Sequence, residues 1–95
     1  MIVRQTRRAR SNIETILTGL EQKSPLGASR VAASMKKTMQ LISDFPRAGK
    51  QTSKPSLFVK ILADYPYKIF YLIKGDIVEI IHVRHAARRP WHEIF

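Results

Sequence analysis

Apolar side chains recur along this chain with two different periods, and the change of period divides it into a helical half and a strand half. Near the start, Ala9, Ile13, Ile16, Leu17 and Leu20 fall three or four apart, which places them on one face of a helix. Thr6 precedes that stripe and suits its N-cap, with the hydroxyl accepting from a free backbone N–H. The pattern ends near Gln22 or Lys23. Ile2 and Val3 are β-branched, so residues 1–5 are expected as a short strand. Ser24 followed by Pro25 opens a second helix: Ser at the N-cap, Pro at the first helical position, where a missing N–H costs nothing. Val31, Met35, Thr38, Ile42 and Phe45 mark its inner face, and Arg30, Lys36, Lys37 and Gln40 its outer one. Pro46 disfavours helical geometry at Phe45 and stops it. Two amphipathic helices with so short a link predict a helical hairpin.

The period then shortens to two. Residues 47–56 hold Gly, Lys, Gln, Thr, Ser and Pro without apolar periodicity and are expected as a loop. Strands are expected over 57–62, 67–73 and 77–84. Asp64, Tyr65 and Pro66 make the first turn; Lys74, Gly75 and Asp76 signal a hairpin. Side chains two apart point the same way. Lys60 therefore shares a face with Phe58 and Leu62, Lys68 with Phe70 and Leu72, and His82 and Arg84 with Val78 and Ile80. If the three faces coincide, one side of the sheet carries Lys60, Lys68, His82 and Arg84 on an apolar floor, and the other meets the helices. The expected fold is α/β in the α+β sense. An N-terminal strand and a helical hairpin pack on one face of a small, mainly antiparallel sheet, in a single domain over residues 1–95.

Charge sharpens this picture. The chain has 17 Lys+Arg against 7 Asp+Glu, a formal +10, which draws nucleic acid or an acidic protein. An apolar fraction of 44% is that of an ordinary globular domain and argues against disorder. There is no cysteine, so disulfides, cysteine-held zinc and thiol chemistry are excluded, and a cytoplasmic location is expected. His82, His85 and His92 have no supporting carboxylate or cysteine pattern, so neither a metal nor a cofactor is expected. No apolar run reaches the roughly 20 residues that span a bilayer. Residues 1–10 lack the apolar stretch of a secretory signal, and no membrane partner is expected.

The densest chemistry follows the last strand, where Arg84, His85, Arg88, Arg89, Pro90 and Trp91 arrive together. A strand end is held by the sheet yet open to solvent, which suits a working surface for a polyanion or an acidic partner. His82 lies inside the strand, where a histidine is more often packed than reactive. Arg4, Arg7, Arg8 and Arg10 cluster at the positive end of a helix dipole, where cations are disfavoured, and so point to an anionic neighbour.

The order of these elements resembles the RelE/ParE superfamily of small bacterial toxins from type II toxin–antitoxin modules. The resemblance rests on the strand texts Phe58-Val-Lys-Ile-Leu62, Tyr67-Lys-Ile-Phe-Tyr71 and Ile77-Val-Glu-Ile-Ile-His-Val-Arg-His-Ala-Ala-Arg88, and it covers nearly the whole chain. It implies an antiparallel-rich sheet under a helical hairpin, and a cognate antitoxin that is acidic where it binds the toxin. It also implies that operator DNA is contacted indirectly, through the antitoxin. Two activities occur in the superfamily. RelE-like members cut messenger RNA on the ribosome; ParE-like members poison DNA gyrase. For the first, the resemblance implies a basic catalytic set, here Lys60, Lys68, His85 and Arg88, with His85 or His92 as the acid–base group. For the second, it implies a basic target-binding surface of Arg84, His85, Arg88, Arg89 and Trp91. The run His85-Ala-Ala-Arg88 is similar to the ParE-like ending, and Arg88-Arg-Pro-Trp-His-Glu-Ile-Phe95 differs from the RelE-like one. Gyrase is therefore the favoured target, the ribosome and its messenger RNA the alternative, and a non-toxic basic nucleic-acid-binding module the reading of another class.

Overall fold

Ser24 caps two helices at once. Its backbone N–H donates to Leu20 O at 2.7 Å and closes α1 (Arg7–Lys23), while its hydroxyl accepts from Gly27 N at 2.9 Å and opens α2 (Pro25–Asp44). One residue thus reverses the chain and forces the two helices to pack side by side. The other end of α1 is capped as expected, with Thr6 Oγ1 accepting from Ala9 N at 3.1 Å.

The computed structural model describes residues 1–87. Its strands are β1 (Ile2–Gln5), β2 (Lys50–Gln51), β3 (Leu57–Ile61), β4 (Tyr67–Lys74) and β5 (Ile77–His85). They form one sheet in the order β1-β5-β4-β3-β2, antiparallel except for the parallel pair β1 and β5. Both helices lie on one face. Their stripes meet Phe58, Leu62, Tyr67, Ile69, Tyr71, Val78, Ile80 and Val83 in the main core, with Ala9, Val31, Met35 and Ile42 buried from the helix side. The three long strands end within one residue of their expected limits. Gly75 takes φ 60 in the β4–β5 turn, a backbone conformation that side-chain-bearing residues avoid.

Three expectations fail, each for a local reason. Phe45 does not join the inner face of α2. It is the helix C-cap, with φ −135 and ψ 81, so it leaves the helical track and stays 64% exposed. The stretch 47–56 is not all loop. A single 3₁₀ turn, Pro46–Ala48, leads into β2, which pairs with Val59 and Phe58. Lys50 and Gln51 carry no apolar signal because both faces of this edge strand are exposed. The third failure is the phase of β5. Tyr71 pairs with Ile80 but Phe70 pairs with His82, so Ile81 is an extra, bulged residue. Alternation is broken there, and His82 and Arg84 move to the face opposite Val78 and Ile80.

Tyr71 ties the 46–51 segment to the sheet. Its ring is fully buried and stacked on Phe58, centroids 5.6 Å apart. Its hydroxyl donates to Pro46 O at 2.7 Å and accepts from Gly49 N at 2.9 Å. Burial raises the phenol above its usual 10.0, and the Gly49 N–H partly offsets that. A Cβ on Gly49 would stand 2.6 Å from the Tyr71 hydroxyl and 2.8 Å from Val59 O, so only glycine fits there.

Candidate functional site

The bulge at Ile81 decides which charged groups meet. On the face away from the helices, Lys68 pairs with Arg84 and Phe70 with His82 across β4 and β5. The Arg84 guanidinium lies over the Phe70 ring at 5.5 Å, and the His82 ring is tilted against the same ring at 5.9 Å. Leu57, Phe70 and Ile81 form a second, smaller apolar cluster there, flanked by Val59 and Leu72. The site thus has an apolar floor bearing Lys68, His82 and Arg84. His82 and Arg84 are buried, at 8% and 6% exposure, which corrects the expectation of an open strand end at Arg84.

Lys60 is not part of this patch. The register pairs it with Ile69, whose side chain is in the helix-side core, so Lys60 projects on the helix side. There it borders a groove of about 450 Å³ between α2 and β3, with Arg30 and Lys37 along the same rim. Leu41, Ile61 and Tyr65 line the same groove. The four-residue patch of Lys60, Lys68, His82 and Arg84 is therefore split, three to one. The cause is that strand texts give each strand's own alternation, whereas pairing decides which faces coincide. Arg30 and Lys37 are a site feature that the helical pattern hid: on a helical wheel they read only as a solvated face.

His85 sits at the far end of β5, opposite Tyr67, with the two rings edge-on at 5.3 Å. Its Nδ1 accepts from Ala87 N at 3.0 Å, which selects the tautomer carrying its proton on Nε2. His85 borders a groove of about 480 Å³ lined by Asn12, Thr15, Lys23 and Arg84 together with Ile16, Leu20, Tyr67 and Val83. Helix α1 closes the edge of β5 beyond β1. Thr6 N donates to Ile80 O at 3.0 Å, and Val83 N donates to Asn12 Oδ1 at 3.1 Å. These bonds hold the bulge in place from the side that no strand covers. The expected site residues Arg88, Arg89, Trp91 and His92 lie outside the described residues. Among the described residues no group of three metal-ligating side chains occurs, and no helix is long and apolar enough to cross a membrane.

A two-helix layer on a five-stranded mixed sheet, with a basic, mixed-character strand end, is the architecture of small toxins of the RelE/ParE superfamily. Residues 3–90 match the family model of the ParE toxin of type II toxin–antitoxin systems, and the chain belongs to that family. It is 33% identical over 92 residues to the Sinorhizobium fredii protein named "Putative toxin Y4kP", covering 97% of this chain and 94% of that one. It is 30% identical over 83 residues to Toxin RelE2 of Caulobacter vibrioides, covering 87% and 92%. Its fold is that of the chromosomal ParDE toxin–antitoxin system from P. aeruginosa, with a TM-score of 0.79 at 17% identity over 90% of this chain and 95% of that one. It also matches the intact E. coli RelBE toxin–antitoxin complex, with a TM-score of 0.70 at 21% identity over 92% and 98%. The sequence expectation of a type II toxin with an α+β fold is met on both counts.

Proposed function

We propose that this toxin acts on DNA gyrase rather than on messenger RNA, and that a cognate antitoxin neutralises it. The observation that carries the choice is the separation of Lys60 from Lys68. An RNA-cleaving site must take a proton from the 2′-OH, stabilise the extra charge on one phosphate and protonate the leaving 5′-oxygen. Those groups have to converge. Lys60 and Lys68 project from opposite faces of the sheet, and His85 Nδ1 is engaged by the Ala87 N–H. A gyrase poison needs only shape and charge at an interface. His85, half-buried at the end of β5 and followed in sequence by Arg88, Arg89 and Trp91, supplies that chemistry, with Arg84 buried against Phe70 behind it; Arg and Trp are common binding anchors.

The groove between α2 and β3 supports the antitoxin reading. Its apolar side chains and its three cations, Arg30, Lys37 and Lys60, against the one carboxylate of Asp64, suit an acidic segment with apolar anchors. Co-expression with such a partner is expected to restore growth and raise soluble yield. Operator DNA is then met through the antitoxin.

A paired assay tests the target. Purified toxin is added to gyrase in a supercoiling reaction, and to ribosome-bound messenger RNA read by primer extension. The expected result is lost supercoiling with intact RNA. Codon-position cleavage with normal supercoiling overturns the proposal, and in that case His85→Gln or Lys68→Ala lowers cleavage by about a hundredfold or more.

A further inference from the structure

We propose that this toxin pairs with a second copy of itself through the groove between the C-terminal end of α2 and the β4–β5 turn, with Phe45 of each copy filling the groove of the other. This goes beyond the choice of target, and it uses none of the residues assigned to the strand-end surface or to the α2–β3 groove. The groove has a volume of about 560 Å³, and Met1, Pro46, Ala48 and Ile73 give it apolar walls. Phe45 borders it and is 64% exposed, although aromatic rings gain most from burial at interfaces. Its exposure follows from its place as the C-cap of α2, off the helical track. A ring standing beside a hole suits a two-fold contact, because the same patch then serves both copies.

The hole is already formed. Tyr71 Oη donates to Pro46 O at 2.7 Å, and Ala48 N donates to Phe45 O at 2.9 Å, which fixes the 3₁₀ turn against the sheet. Ser43 Oγ donates to Met1 O and holds residue 1 beside the end of α2. Docking a ring there orders little that is not ordered beforehand, so little of the apolar gain is lost.

Charge selects the occupant. The chain as a whole is +10, yet the charged side chains of this groove are one acid, Asp44, and one base, Arg47. They do not pair with each other. Asp44 accepts from Gln40 Nε2 at 3.2 Å, and the Arg47 guanidinium lies over the Phe58 ring at 5.7 Å. Among the described residues neither makes an ion pair. A two-fold axis through the groove sets Asp44 of each copy against Arg47 of the other, so the patch is complementary to itself. An acidic segment gains nothing from balanced charge and is better served by the α2–β3 groove, with three cations to one carboxylate. His85 closes β5 at the end remote from Gly75, so a pair joined here leaves both strand-end surfaces open and presents them together.

The test is sedimentation velocity of the purified full chain across a concentration series, at low and at high salt. A monomer–dimer equilibrium is expected. It should tighten with salt, because screening relieves the repulsion between two +10 molecules and leaves the apolar contact intact. Phe45→Ser should weaken pairing by about tenfold or more, as the loss of a buried aromatic anchor does. Leu26→Ser removes a similarly exposed apolar side chain from the other end of α2 and should change nothing. Asp44→Lys and Arg47→Glu should each weaken self-association. An equimolar mixture of those two variants should pair, because opposite charges then meet at both contacts. Circular dichroism confirms that each variant folds. A monomer under every condition, pairing that weakens with salt, equal effects of Phe45→Ser and Leu26→Ser, or no pairing in the mixture overturns the proposal. Gyrase and antitoxin are both absent from the experiment, so its result is independent of the target proposed above.

Discussion

Ile80 and Ile81 are neighbours in sequence and lie on opposite faces of the sheet, in two different clusters. On the Ile80 side, twelve buried residues from both helices and three strands form a continuous core. Within it the Tyr71 hydroxyl has both a donor and an acceptor. On the Ile81 side, three buried apolar residues share their face with Lys68, His82 and Arg84. The first face stabilises the fold by burying apolar surface. The second holds charge close to apolar groups, where its field is less screened than in water. The single bulged residue turns the end of β5 from the first kind of face to the second.

The strongest way to break this contrast is to delete core volume on each side. Ile80→Ala should cost about 2–5 kcal/mol, the usual range for a buried Ile in a packed core. Ile81→Ala should fall at the low end of that range, because its cluster is smaller. Urea denaturation of both variants reads the difference, and equal losses would remove the asymmetry between the faces.

Tyr71→Phe tests the hydrogen-bonded hydroxyl on the core side. It leaves Gly49 N–H and Pro46 C=O without their partner, a loss of about 1–3 kcal/mol. The phenol also makes stability depend on pH. Its folded pKa is raised above 10.0, so its contribution is complete below pH 10 and is lost as pH climbs through the folded value. The unfolded chain ionises first, and ionisation pulls the equilibrium towards it. Thermal melts of the parent should weaken above about pH 10, and those of Tyr71→Phe should lack that component.

Arg84→Gln sharpens the reading of the other face. Removing a buried cation from above the Phe70 ring should cost about 0.5–2 kcal/mol. Toxicity should fall by more than this stability loss explains, as a growth assay with matched expression would show. A fully toxic, stably folded Arg84→Gln would move the target surface elsewhere.

The smallest effect belongs to Lys60→Gln. Its side chain borders a groove rather than a core, so stability should change by no more than about 0.5 kcal/mol. Rescue by co-expressed antitoxin should nevertheless weaken, while toxicity of the uncomplexed chain stays. Loss of toxicity in this variant would return Lys60 to the catalytic set.

Local signals in the sequence determined most of the elements. The stripe from Ala9 to Leu20 has helical spacing, and Thr6 and Ser24 are capping residues whose side chains can reach only backbone a few positions away. The hairpin at Gly75 needs a positive φ, which glycine supplies at no steric cost. Such features depend on near neighbours and are legible in a linear text. The basic character of the chain and the order of its strand motifs were legible for the same reason, and they sufficed for the family.

The site was decided by tertiary structure. Whether Lys60 joins Lys68 depends on pairing Lys60 with Ile69, a relation between separate strands. The phase of His82 and Arg84 depends on the bulge at Ile81, held by Thr6 and by Asn12 from α1, about seventy residues away in the chain. Gly49 reads as a loop glycine until the Tyr71 hydroxyl is found filling the place of its Cβ. Alternation is a property of one strand, but a face belongs to the whole sheet, and one extra residue reverses every side chain that follows it.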